Sequence, residues 1–162
     1  MRLFSAVLAC SLLVACSGET ESAPEMTSAL RGQIQAEVLD WSDQWLEAAT
    51  NLDPEGVALL MDRADGHFVD GGVYQASWQD ILTHSQELYG SWESWEGNWG
   101  PRRIDVLSED AALLVGPIPS VITNAQGVVS DVQVTFSFVL RKKDGVWKGL
   151  FGQAGGIWTP RQ

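Results

Sequence analysis

The run Asp131-Val132-Gln133-Val134-Thr135-Phe136-Ser137-Phe138-Val139-Leu140-Arg141 alternates in character residue by residue. Val132, Val134, Phe136, Phe138 and Leu140 share one side, and Asp131, Gln133, Thr135, Ser137 and Arg141 share the other. A period of two with a single apolar side is the pattern of an antiparallel strand that has one covered face. Outward from this run, the strand is expected over 128–143, bounded by the turn sequences Asn124-Ala125-Gln126-Gly127 and Asp144-Gly145. Further strands are expected near 101–108, 111–123 and 145–157, the first two joined by Ser108-Glu109-Asp110. If Asp144-Gly145 is a two-residue hairpin loop, Lys143 pairs with Val146. Phe138 then faces Phe151 and Phe136 faces Gln153, with Trp147 on the same apolar side. A three-residue loop with a bulge would reverse that parity.

Upstream of Trp99 the period is helical. Leu30, Ile34, Val38, Trp41, Trp45, Ala49 and Leu52 recur at steps of 4, 4, 3, 4, 4 and 3, one stripe of an amphipathic helix. Asp53 is a good N-cap and Pro54 suits the first helical position, so a short second helix carrying Val57, Leu59, Leu60 and Met61 should follow. Asp65-Gly66 turns the chain into a short strand, His67-Phe68-Val69-Asp70, ended by Gly71-Gly72. Ser77, with Asp80 behind it, opens a third helix whose face is Trp78, Ile81, Leu82, Ser85, Leu88, Tyr89 and Trp92. The segment 90–100 holds Trp92, Trp95 and Trp99 among Gly and Glu, and reads as a loop. Helices first and a meander of long strands after them give an α+β layer fold, with the helices covering the apolar face of the sheet.

The start of the chain has a different character. Arg2, the apolar run from Leu3 to Val14 and the tetrad Leu13-Val14-Ala15-Cys16 have the parts of an export leader. The tetrad resembles a bacterial lipobox. The apolar run, about a dozen residues, is shorter than the roughly 20 that a membrane span needs. The expected layout is a lipoprotein signal peptide over 1–15, a lipidated Cys16 with an acidic tether over 16–27, and one domain over 28–162. Cys16 would carry acyl chains such as palmitate, each buried CH2 contributing roughly 0.8 kcal/mol to membrane attachment. Ser17 after the cysteine favours, by resemblance to lipoproteins of two-membraned bacteria, the periplasmic face of the outer membrane. An ordinary secretory leader cut elsewhere is the alternative. The tether between Cys16 and the domain reaches at most roughly 40 Å.

Cys10 and Cys16 are the only cysteines, so the expected mature domain has no disulfide, thiolate metal site or cysteine nucleophile. The chain has 10 basic and 21 acidic residues and a net charge of −11. That charge repels phosphate backbones and anionic headgroups, so a nucleic-acid partner is not expected.

Four stretches resemble the NTF2-like superfamily, in particular its SnoaL-like and DUF4440-like branches. They are Trp45 to Leu60, Gly66 to Gly72, Leu107 to Leu114, and Phe138 to Lys148. The resemblance covers roughly 28–158, and the four stretches mark turns and core positions. The resemblance implies a strongly bent antiparallel sheet of about four to six strands, wrapped around three N-terminal helices into a cone that opens on an apolar pocket. It also implies possible homodimerisation through the outer sheet face. Members include isomerases, dehydratases, cyclases and epoxide hydrolases as well as proteins that only bind ligands, so the fold leaves the chemistry open.

Asp70 and His67 are the candidate catalytic residues, because both lie on the strand that the resemblance places near the pocket mouth. Carboxylates and imidazoles are the usual proton acceptors in such sites. Alternation puts His67 with Val69 and Phe68 with Asp70, which weighs against a dyad of the two. Arg103, Asp105 and Asp131 have the residue types of the epoxide-hydrolase relatives, without their spacing. His67 and His84 are the only histidines, with no cysteine nearby, so neither a metal nor any other cofactor is expected. The candidate pocket comprises Trp45, Phe68, Asp70, Trp78, Trp92, Trp99, Phe136, Phe138, Trp147, Phe151 and Gln153. Three functions remain open: an envelope-anchored domain that binds a small apolar molecule without turnover, a cofactor-free isomerase or lyase with Asp70 as base, and an envelope interaction module.

Overall fold

The computed structural model describes residues 26–161; the leader, Cys16 and the tether up to residue 25 lie outside the described residues. Three helices, α1 (Ser28–Thr50), α2 (Pro54–Leu60) and α3 (Trp78–Gly90), pack against seven strands. These are β1 (His67–Asp70), β2 (Val73–Gln75), β3 (Trp92–Gly97), β4 (Arg103–Val106), β5 (Ala111–Asn124), β6 (Val129–Lys143) and β7 (Val146–Pro160). The sheet runs β2-β1-β7-β6-β5-β3, with β4 pairing a second part of β5. It is a bent, open α+β cone.

The helix boundaries follow from capping chemistry. Asp53 accepts from the Gly56 amide at 2.9 Å, and Ser77 accepts from the Asp80 amide at 3.2 Å. The α1 stripe buries Ile34, Val38, Trp41, Trp45 and Ala49 against the sheet. Leu52, expected to close that stripe, instead has φ 53 and turns the chain into α2.

Three sheet features depart from the sequence expectation. Gly71-Gly72 ends β1, as expected, but the chain pairs again beyond it. Both glycines have positive φ and form the two-residue loop that returns β1 as β2. β1 also pairs parallel to β7, so the sheet is mixed. The segment read as a loop around Trp92 and Trp95 is strand β3, paired with residues 120–124 of β5.

A further departure concerns register. Lys143 does pair with Val146 across Asp144-Gly145, as the two-residue loop requires. A bulge between Leu140 and Val139 then places Leu150 as an extra residue, so that Phe138 pairs with Gly152 and Phe136 with Ala154. Inward parity on β7 switches from Trp147 and Gly149 to Gly152 and Ala154. Phe151 and Gln153 are thereby carried to the outer face.

β5 tolerates Pro117 and Pro119 because β4 ends its pairing at Val115 and β3 begins at Ser120. The prolines point their missing N–H into that gap, and the Gly100 amide donates to the Pro117 carbonyl there at 2.8 Å.

Ion pairs fasten the helical layer to β6. Lys142 Nζ and Trp147 Nε1 both donate to Glu37 Oε2, at 2.7 and 2.8 Å. These bonds, Lys142 first, hold the Glu37 carboxyl at about 2. Asp62 is buried after α2 and accepts from Arg141 Nη2 at 2.8 Å and from the Ala64 and Asp65 amides at 2.9 and 3.1 Å. The Arg141 bond is the main reason its carboxyl is held at about 2.

A carboxyl depressed below its unfolded value stabilises the fold at all pH values above that unfolded value. The contribution is lost as pH falls toward the folded pKa. Asp62→Asn should therefore lower stability at neutral pH by roughly 2 kcal/mol. It should also flatten the acid limb between about pH 4 and pH 2 in denaturant titrations. An acid limb as steep as that of the parent would show that Asp62 does not carry this dependence.

Candidate functional site

The inward switch on β7 leaves only Gly152, Ala154 and Gly156 on its inner face before Trp158, and the helices do not fill the space above them. The result is a cavity of about 270 Å³ between α3 and the inner sheet face. Its floor is Trp45, Phe68 and Phe136, and its far wall is Ile122, Val132, Val134 and Ala154. α3 supplies Ile81, His84, Ser85, Leu88 and Tyr89, and β3 supplies Trp92 and Trp95. The rim is formed where lining residues are exposed, at Gly71, Gly155, Gly156 and Trp158.

One titratable pair stands in this apolar wall. β1 alternation turns Phe68 and Asp70 inward, and α3 brings His84 opposite Asp70. His84 Nε2 lies 3.2 Å from Asp70 Oδ2, and the two side chains are 26% and 29% exposed. With Nε2–H donating to the carboxylate, Nδ1 is the nitrogen that keeps a lone pair. Tyr89, also on the wall, is buried, and burial together with the Asp70 and Asp53 carboxylates pushes its phenol well above the usual value. It is a neutral hydroxyl at any working pH. Gln75 is buried on the same wall and donates from Nε2 to the Val73 carbonyl at 3.1 Å. Among the described residues Trp45 Nε1 has no hydrogen-bond partner, and its ring is surrounded by Trp95, Trp99, Phe136 and Phe138.

Of the sequence-derived candidates, Trp45, Phe68, Asp70, Trp92 and Phe136 line the cavity. The others do not. His67 faces away from it, as alternation requires, and packs against Phe151 at 5.2 Å and Tyr74 at 6.1 Å. Phe151 and Gln153 are outside because of the bulge. Trp78 donates to the Ala58 carbonyl at 2.6 Å at the seam between α2 and α3, under Arg63. Trp99 donates to the Ser42 carbonyl at 3.0 Å and stacks near Arg102, closing the other end of the core. Phe138 is fully buried beneath the cavity floor, and Trp147 lies over α1 through its bond to Glu37.

His84 was legible but passed over. Ile81, His84, Ser85 and Leu88 follow the i, i+3, i+4, i+7 rule of one helix face, so His84 shares the inward stripe. Trp95 and Trp158 depended on strands whose faces the sequence did not fix. Among the described residues, no cluster of three His, Cys, Asp or Glu side chains could hold a metal ion.

No protein-family model and no curated protein matches the sequence. Solved structures do match. A hexachlorocyclohexane dehydrochlorinase, LinA-type3 from Novosphingobium barchaimii LL02, superposes with a TM-score of 0.74 at 14% identity, over 83% of this chain and 94% of that one. A candidate scytalone dehydratase from Novosphingobium aromaticivorans gives 0.76 at 12% identity, over 84% and 93%. A ketosteroid isomerase-like protein from Erwinia carotovora atroseptica gives 0.68 at 19% identity, over 75% and 95%. The fold is NTF2-like. At these identities the likeness is one of fold, so the chemistry of this NTF2-like domain has to be argued from its own cavity.

Proposed function

We propose that this chain is an envelope-anchored NTF2-like protein that takes a small, largely apolar molecule into its cavity. There the His84–Asp70 pair removes a proton from it, in an isomerisation or elimination that needs no cofactor. The observation that carries this reading is the 3.2 Å contact between His84 and Asp70 in a mostly apolar wall. Low polarity strengthens each interaction made there, and the carboxylate favours the imidazolium that forms when the proton is taken. Tyr89, a neutral donor on the same wall, suits an oxygen or halogen on which negative charge develops. A hexachlorocyclohexane dehydrochlorinase and a ketosteroid isomerase-like protein share this fold.

A generic probe tests the chemistry before a substrate is known. A base opens 5-nitrobenzisoxazole by taking its ring C–H proton; the N–O bond breaks and a coloured cyanophenolate leaves. The protein should accelerate this reaction above free imidazole at equal concentration. A second reading, binding without turnover, rests on the predominance of aromatic and aliphatic wall. It gains support if apolar ligands quench tryptophan fluorescence while the probe stays intact.

The anchor rests on the Cys16 tetrad, which lies outside the described residues. Among those that are described, no helix is long and apolar enough to cross a membrane. Expressed in a bacterial host, the parent chain should partition into a detergent phase and Cys16→Ser into the aqueous phase. A Cys16→Ser chain that stays with the detergent would remove the anchor from the proposal.

A further inference from the structure

The rim of the cavity is also the wall of a second space. A shallow groove of about 320 Å³ lies outside it, lined by Ser91, Asn124, Gln126, Val128 and Ser130 together with Trp92, Ile122 and Trp158. The last three residues line the inner cavity as well. Trp92 and Trp158 meet with ring centroids 5.8 Å apart, so one aromatic pair separates an apolar interior from a more polar groove. Trp158 is 50% exposed, a large apolar surface left in water at a rim.

The groove holds no charged residue. Its polar groups are only partly used by the protein. Asn124 Oδ1 accepts from the Gln126 and Val128 amides at 3.0 and 2.9 Å, which fixes the turn and leaves the amide nitrogen. Among the described residues, the Gln126 and Ser130 side chains have no hydrogen-bond partner. Amides and hydroxyls without a neighbouring cation recognise neutral hydroxyl-rich groups, whereas a phosphate or carboxylate would call for Arg or Lys.

Building on the proposed small-molecule cavity, we infer that the ligand is an amphiphile that spans both spaces. Its apolar body fills the inner cavity, its chain passes against Trp92 and Trp158, and a neutral polyhydroxy head sits in the outer groove. Trp158 is the specificity-determining residue of this passage, because it contacts both parts. An aromatic face also packs well on the apolar face of a sugar-like head.

Titration calorimetry of the Cys16→Ser full chain with four octyl probes below their micelle concentrations tests the inference. The probes are octanol, octyl glucoside, octanoate and octyl phosphate. Octyl glucoside should bind about tenfold tighter than octanol, and the two anions no tighter than octanol. The double variant Gln126→Ala, Ser130→Ala should remove about tenfold of affinity for octyl glucoside and leave octanol unchanged. Trp158→Ala should weaken both, and Trp158→Phe should restore most of the loss. If octanol binds but the glucoside gains nothing, or its gain survives the double variant, the amphiphile inference is overturned while the apolar cavity stands. If octanol itself does not bind, the cavity reading falls and takes the inference with it.

Discussion

His84→Gln should abolish most of the proton abstraction, lowering the 5-nitrobenzisoxazole rate by about 10²–10⁴-fold, the range a positioned general base contributes. Glutamine keeps a donor for Asp70 and a similar volume on α3, so the cavity should survive the change. Asp70→Asn leaves the imidazole in place but removes the carboxylate that favours its protonated form, and should give a smaller loss. The two act as a unit across 3.2 Å, so the double variant should be far less impaired than the product of the single losses. Octanol titration separates these effects from damage to the pocket: affinity should change by less than about threefold in every variant. Full activity in His84→Gln would end the assignment. Loss of both rate and binding would show that the pair holds the wall together instead. Tyr89→Phe offers an independent check, because it removes only a neutral donor. It should slow the probe reaction, whose charge builds on oxygen, more than it weakens octanol binding.

The difference between His67 and His84 shows what the sequence could and could not supply. Period-two alternation on β1 was enough to separate His67 from Asp70, and the structure separates them in that way. Helical periodicity placed Ile81, Ser85 and Leu88 inward, and the same rule included His84. Facing between the two elements was not legible, because it depends on how α3 lies across β1. That crossing is set by Trp78 against the end of α2 and by the β1–β2 hairpin. The α+β layering, all three helices and the long strands β5, β6 and β7 were readable from period and turns. β3 was not, since the spacing of three between Trp92 and Trp95 is helical, and a strand brings both to the cavity only through the register shift between Trp92 and Ser94. The Leu140–Val139 bulge has no local signature either. It appears where Gly149 and Gly152 must both approach bulky neighbours, Met61 and Phe68, whose atoms lie within 2.5 and 2.2 Å of any added Cβ. A strict alternation would have placed only one of these glycines inward.

That bulge leads to the largest expected loss of stability. Phe138 is fully buried and sits at the centre of the aromatic core, with Trp41 and Trp45 each at 5.1 Å and Phe68 and Phe136 each at 6.0 Å. Phe138→Ala removes a ring that touches both α1 and β1, and Gly152 opposite it has no side chain to fill the gap. The cost should be about 3–5 kcal/mol, the range for a buried Phe cut to Ala. For a domain of this size that corresponds to a fall in Tm on the order of 10 °C. Phe136 lies two residues away on the same face, but it already borders the cavity and has fewer partners to lose. Its substitution by Ala should cost at least about 1 kcal/mol less, because the penalty scales with new void. Phe151→Ala, on the outer face, should cost no more than about 1 kcal/mol. Denaturant unfolding of the three variants therefore tests the register directly. With the bulge, the order of loss is Phe138, then Phe136, then Phe151. A strand without it would face Phe151 onto Phe138 and give Phe151→Ala a core-sized loss, an outcome that would displace the cavity wall on which the His84–Asp70 site stands.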